Sequence, residues 1–230
     1  MSRVVCARLS ELLALHGLDL AQAFGLTPEH EPGFGIECFG LPSASALLVG
    51  NTQRLWPKFE SRRAELGDSK NPLDEYVEAT LDAAVATLCR EFTLSSMPRI
   101  YFAHRTDLVR ADGTRGPLPI QRLAAVAGLG TLGPAHLNVH TEYGPWISLR
   151  ALVVLPCESE TQAAIAPALA APCSQCLERP CLAALERALG PADATPRWQR
   201  WLAVRDACPI GREHRFSDAQ IRFHYGKLGH

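Results

Sequence analysis

The segment at residues 121–156, QRLAAVAGLGTLGPAHLNVHTEYGPWISLRALVVLP, constrains the chain most. It runs a short apolar helix into a glycine turn and then into two strands without a polar spacer. Small side chains at residues 124–127 let that helix approach a flat partner closely. Gly128, Gly130 and Gly133 then allow backbone paths that side-chained residues resist. Two readings follow from the residues alone: a tight helix-to-strand turn with glycines for packing, or a bed for a large planar ligand.

The rest of the chain gives an α+β pattern. An amphipathic N-terminal helix precedes a proline- and glycine-bearing loop at residues 27–43, and Ala46, Leu47, Leu48 and Val49 form a buried strand ending at Gly50. Asn51 or Thr52 is placed to cap the next helix, which carries Leu55, Trp56 and Phe59 on one side. Asn71-Pro72 opens another helix, with Tyr76, Ala79, Leu81, Ala84, Val85 and Leu88 at helical intervals. Residues 99–102 form a strand, residues 105–119 a polar loop, and residues 149–155 a strand too apolar to face water on both sides. The organisation expected is a core over residues 1–160 completed by a cysteine-containing cap over residues 161–230.

Composition narrows the function. With 47% hydrophobic and 20% charged residues, the chain can bury a substantial core. A formal net charge of −1 lacks the basic surplus that grips a polyanion, so no nucleic-acid partner is expected. No apolar run approaches the roughly 20 residues of a membrane span, and MSRVVCARLSELLALHG is not a signal peptide, so a cytoplasmic protein without membrane partners is expected. There is no phosphate-binding Gly-x-x-x-x-Gly-Lys loop, no dinucleotide fingerprint opening a helix and no Gly-x-Ser-x-Gly elbow.

Eight cysteines in such a chain are expected to be free thiols. Cys6, Cys38, Cys89 and Cys157 are scattered among apolar or mixed neighbours and read as small buried residues. Cys173, Cys176 and Cys181 instead form C-x2-C-x4-C, and Cys208 follows in a Cys-Pro pair. Four such thiolates suit a soft metal centre, and three readings stay open: a single [4Fe-4S] cluster, a structural zinc, or a metal-free remnant or redox-active thiols.

Several motifs resemble known families. AGLGTLG, at residues 127–133, is similar to the cobalamin-dependent epoxyqueuosine reductases. HTEYGPWISLRALVVLP, at residues 140–156, is similar to the CblC-type cobalamin-processing proteins. SALLVGNTQRLWPKF, NPLDEYVEATL, WQRWLAVRDACP and RFSDAQIRFHY also resemble the CblC type, extending the likeness over most of residues 44–225. The aspartate that donates a proton in the epoxyqueuosine group has no match in Thr114-Arg115-Gly116-Pro117, with Asp112 two residues earlier. The cysteine run is foreign to the animal CblC pattern, so the resemblance is to a divergent form.

The resemblance implies a nitroreductase-like (flavin-reductase-like) sheet flanked by helices and a cyanocobalamin reductase-like oxidoreductase. It would bind cobalamin with its lower base displaced and remove the upper axial ligand by decyanation, or by glutathione-dependent dealkylation. It implies Arg150, Arg205 and Arg215 as catalytic arginines facing glutathione, since guanidinium pairs with carboxylates and eases the holding of a thiolate. It implies Gln121, Gly128, Gly130, Gly133, Asn138, His140 and Trp146 against the corrinoid. Glutathione or reduced flavin is the expected reductant, with a flavoprotein electron donor or a downstream B12 carrier as protein partner. An iron-sulfur corrinoid reductase, a non-catalytic cobalamin chaperone and a flavin-binding nitroreductase relative are the competing readings.

Overall fold

The computed structural model describes residues 1–30, 34–67, 69–160, 172–191 and 195–225. Its centre is a four-stranded, wholly antiparallel sheet in the order β1-β2-β8-β3. The strands are β1 (Leu20–Leu26), β2 (Ala44–Asn51), β3 (Arg99–Phe102) and β8 (Ser148–Glu158). All eight residues of β2 are buried, as expected for a central strand covered on both faces.

Side-chain alternation divides the core. Leu47, Val49, Ala151, Val153 and Leu155 point to one face, where α1 (Ser2–Ala14), α2 (Leu55–Arg62) and α3 (Pro72–Glu91) cover them. Ala46, Leu48, Leu152 and Val154 point to the other, under α4 (Ile120–Ala127). Leu48 sits opposite Leu152 and Tyr101 opposite that same residue, so a one-residue slip would exchange the two faces. Helix α3 begins as its sequence dictates: Pro72 stands in the first turn with Asp74 and Glu75, and Arg90 in the last, each complementing the helix dipole.

Two local expectations need correction. Neither Asn51 nor Thr52 caps α2, whose first residue follows Arg54 with no side-chain cap bond. Thr52 instead donates through its N–H and Oγ1 to Asp19, at 2.8 and 2.6 Å, and Asn51 turns inward to Arg150. Strand β1 was absent from the sequence reading, because LAQAFGL interrupts its apolar positions with two alanines and a glutamine. The stretch read as a polar loop holds a small hairpin, β4 (Leu108–Val109) with β5 (Arg115–Gly116).

After α4 the chain makes a second small hairpin, β6 (Thr131–Leu132) with β7 (Asn138–Val139). Helices α5 (Pro180–Leu189), α6 (Arg197–Asp206) and α7 (Asp218–Tyr225) follow β8. Trp146 packs with Leu202, Phe216 and Ile221, and Phe223 stacks on Trp56 and Phe59 with ring centroids 5.3 Å away. The last helices thus rest on both the β8 entry and α2. Among the described residues no helix is long and apolar enough to cross a membrane.

Candidate functional site

Arg150 lies in β8, four residues after Trp146, which is 1% exposed and packs under α6 and α7. Its Nε donates to Asn51 Oδ1 at 2.7 Å, while its Nη2 is enclosed without a hydrogen-bond partner among the described residues. Burial pushes the guanidinium down to about 10, the Asp74 charge opposes that fall, and Arg205 adds to it. An arginine keeps its charge at neutral pH, so a cation with an enclosed, unpaired N–H stands ready for an anion.

The other two predicted arginines converge on the Trp146 indole. Arg205 holds its guanidinium carbon 5.9 Å from the Trp146 ring, 5.9 Å from Phe216 and 6.0 Å from Tyr225. Arg215 stands 5.6 Å from Trp146. They differ in commitment: Arg215 is paired with Asp206 at 2.7 Å and Asp218 at 3.0 Å, whereas Arg205 forms no ion pair among the described residues. Arg205 and Arg215 therefore meet at Trp146 because α6 and α7 pack on that ring, and Arg205 lies near enough to Arg150 for its charge to be felt there. The aromatic platform holds cations by their attraction to ring faces.

The glycine turn works by two different means. Gly128 ends α4 in the left-handed conformation, at φ 76°, and Leu129 and Gly130 return their N–H groups to Ala124 O, a left-handed helix end that favours glycine. Gly130 and Gly133 have no such backbone need. A side chain at Gly130 would meet Val139 O at 3.1 Å, and one at Gly133 would meet Val139 Cγ2 at 3.1 Å and Cys173 Sγ at 3.2 Å. Their smallness admits β7 and the cysteine segment.

Gln121 and Asn138 brace this turn. Gln121 Nε2 donates to His136 O at 3.3 Å, and Asn138 Nδ2 donates to Gln121 O at 3.3 Å. Asn138 Oδ1 is buried without a partner among the described residues. His140 Nδ1 accepts the N–H groups of Glu142 at 3.0 Å and Tyr143 at 3.3 Å, and the ring lies 4.8 Å from Tyr143, which in turn touches His214 at 4.7 Å. Burial, chiefly, holds its pKa below the usual histidine value. The imidazole is therefore a neutral turn-maker, with Nε2 left to carry its proton.

Asp112 accepts from Thr114 N and Oγ1 at 2.9 and 2.6 Å, which holds its carboxyl below the usual range. It is an ionised loop brace and a poor proton donor. The predicted cysteines 173, 176, 181 and 208 are free thiols, Cys208 buried and the other three half-buried. Among the described residues no group of three or more His, Cys, Asp or Glu is set as a metal site.

Two half-open clefts lie elsewhere. One, of about 440 Å³, is bounded by Arg99, Tyr101, Arg105 and Leu118 beside β3. The other, of about 240 Å³, lies between α1 and α3 at His16 and Tyr76. Neither is lined by the predicted site residues. Sequence reasoning missed Asn51 as the partner of Arg150; its one signal is a polar residue closing a strand whose inner run, residues 46–49, is wholly apolar.

No family model matches the chain, and no curated protein matches it in sequence. Among solved structures it is similar to the C. elegans B12-trafficking protein CblC, a homologue of human MMACHC, with a TM-score of 0.61 and 17% identity. The alignment covers 97% of this chain and 91% of that one. The epoxyqueuosine reductase side of the resemblance finds no support in these comparisons. At that identity the likeness speaks for the fold: an α+β chain with a central antiparallel sheet flanked by helices, built over nearly its whole length like CblC.

Proposed function

We propose that this protein binds cobalamin and removes its upper axial ligand, taking a small anionic thiol such as glutathione as co-substrate. The observation that carries this reading is the buried Arg150, its Nη2 enclosed without a partner among the described residues and its guanidinium within reach of the charge of Arg205, which with Arg215 lies against Trp146. The full-length likeness to the fold of a B12-trafficking protein supports the same reading.

The corrinoid supplies the redox chemistry, since lowering the metal's oxidation state weakens its axial bonds. The chain supplies position and charge. Arg150 and Arg205 would pair with carboxylates of the thiol co-substrate and stabilise its thiolate, because charge-assisted bonds gain strength where water is excluded. Asn51 fixes the direction of the Arg150 fork. Asn138 Oδ1, an enclosed acceptor beside the glycine turn without a partner among the described residues, suits an amide N–H of a corrin side chain. Reduced flavin, free or carried by a flavoprotein, is the electron donor for decyanation, and a B12 carrier takes the product.

An ultraviolet-visible titration with cyanocobalamin, before and after adding reduced flavin, tests binding and turnover. A base-off spectrum followed by the cob(II)alamin spectrum is expected. An unchanged spectrum in both arms refutes the proposal, and binding without turnover reduces it to carriage. With methylcobalamin and glutathione, Arg150→Gln is expected to raise the glutathione KM at least tenfold while corrinoid affinity stays within a factor of about three, one charge-assisted hydrogen bond being worth about 1.5–3 kcal/mol.

A further inference from the structure

The cysteine segment holds a pair of thiols that the corrinoid reading does not use. The chain makes a 3-10 turn, Pro172–Gln175, and the Cys176 N–H closes it on Cys173 O at 3.3 Å. A turn closed in this way keeps its first and fourth Cα atoms within about 7 Å, and side chains three residues apart on a 3-10 helix lie over one another. A disulfide spans Cα atoms about 4.4–6.8 Å apart. Cys173 and Cys176, both free and half-buried, can therefore be joined across this turn with little movement of the backbone.

The two sulfurs differ in their surroundings. Cys173 Sγ is packed on the glycine hairpin, where a Cβ at Gly133 would stand 3.2 Å from it. Burial, chiefly, holds this thiol above its ordinary pKa, and Arg179 opposes that rise. A thiol so placed is a weak first nucleophile, because it is the thiolate that attacks a disulfide. Cys176 closes the turn on the solvent side, between the exposed Gln175 and Leu177, the latter 92% exposed. Arg179 is exposed too, and its guanidinium can pair with the carboxylates of a small anionic substrate. Its left-handed backbone, at φ 44°, is a strained choice for a residue with a side chain. This bend separates the pair from Cys181, which is held in the first turn of α5 against the cluster of Ala184, Ala188 and Val204.

We propose that Cys173 and Cys176 form a thiol–disulfide exchange site whose substrate is a small anionic disulfide of the glutathione class. The Cys176 thiolate attacks one sulfur of that disulfide. A bond forms between Cys176 and the substrate sulfur, the substrate's own S–S bond breaks, and the first small thiol leaves as a thiolate that takes a proton from water. Cys173 then gives its proton to water and attacks the Cys176 sulfur. The protein disulfide forms, the mixed disulfide breaks, and the second small thiol leaves and is protonated. In net, the substrate disulfide gains two electrons and two protons and becomes two thiols, and the protein dithiol loses the same. The contact with Gly133 keeps Cys173 on the hairpin as the resolving thiol, while Cys176 meets the substrate. A dithiol reductant runs the sequence backwards. The exchange uses neither metal nor corrinoid.

The full chain is reduced with dithiothreitol, freed of reductant under nitrogen and incubated with excess glutathione disulfide, and the remaining thiols are blocked with N-ethylmaleimide. Cleavage after glutamate releases residues 161–178, which carry Cys173 and Cys176 but not Cys181. Mass spectrometry is expected to show this peptide two hydrogens lighter than its dithiol and unblocked, with dithiothreitol restoring both blocking sites. A peptide blocked at both cysteines overturns the proposal, and so does one in which Cys176 is linked to Cys181. Cys173→Ser should stop at glutathione bound to Cys176, and Cys176→Ser should take up glutathione about tenfold more slowly. Equal uptake by the two variants overturns the assignment of Cys176 as the attacking thiol. Circular dichroism confirms that the variants fold, and the mapping of the wild-type chain depends on neither. No cobalamin enters this assay, so its result stands apart from that of the corrinoid titration.

Discussion

Replacing Asn51 by alanine isolates the bond that aims Arg150. Asn51 is fully buried, accepts Arg150 Nε at 2.7 Å and donates to Thr52 O at 2.7 Å. Its loss leaves Arg150 with a second unsatisfied N–H beside the enclosed Nη2. A hydrogen bond to a charged partner contributes about 1.5–3 kcal/mol, and in a chain of this size 1 kcal/mol moves the melting midpoint by about 2–4 °C, so Asn51→Ala should lower it by roughly 3–12 °C. The missing Thr52 contact contributes too, and a double-mutant cycle with Arg150→Met removes it, because it is lost equally with and without the guanidinium. Denaturant unfolding of the four proteins should give a coupling energy of about 1.5–3 kcal/mol. Arg150→Met alone should cost less than Asn51→Ala, since deleting a buried cation removes its desolvation cost as well as its bond. Additivity within about 0.5 kcal/mol would refute the assignment of Asn51 as the residue that holds the guanidinium.

Two further outcomes are expected. Gly144, at φ 55°, packs so tightly on Ile210 O that an added Cβ would overlap that oxygen; Gly144→Ala should destabilise the protein by about 3 kcal/mol or more and loosen the residue 210–211 turn, and a wild-type unfolding midpoint would disprove that contact. His140 has a folded pKa below its ordinary value because it is buried, so the unfolded chain takes up the proton first. The resulting loss of stability begins as pH falls through about 6.5 and continues down to the folded pKa. His140→Asn, which still accepts the N–H two residues on, should flatten that limb of the stability curve; an unchanged slope between wild type and variant would place the titration elsewhere.

Much of the fold is legible in the chain because its apolar patterning is strong. The run SALLVG announces β2, residues 99–102 give β3 as read, and Pro72 with two acids fixes the start of α3. β1 escaped detection because alanine is compatible with either period, so only pairing of Leu20 with Gly50 and Leu26 with Ala44 makes it a strand. Asn51 was read as a cap because, before a helix, an asparagine satisfies free N–H groups by default. An arginine 99 positions away offers a stronger, charged bond, and local reading cannot weigh a partner that distant.

The candidate site divides along the same line. Residue types come from sequence alone: three arginines near aromatic residues, glycines after a helix of small side chains, and four cysteines with soft-ligand chemistry. Only tertiary structure decided that Arg205 and Arg215 share one indole, that Arg215 is engaged by two carboxylates while Arg150 Nη2 has no partner among the described residues, and that Gly133 yields its space to Cys173. Patterning and turn chemistry are short-range and written residue by residue. The meeting of charges depends on how α6 and α7 return to the end of β8, and on what each buried group finds there to replace water.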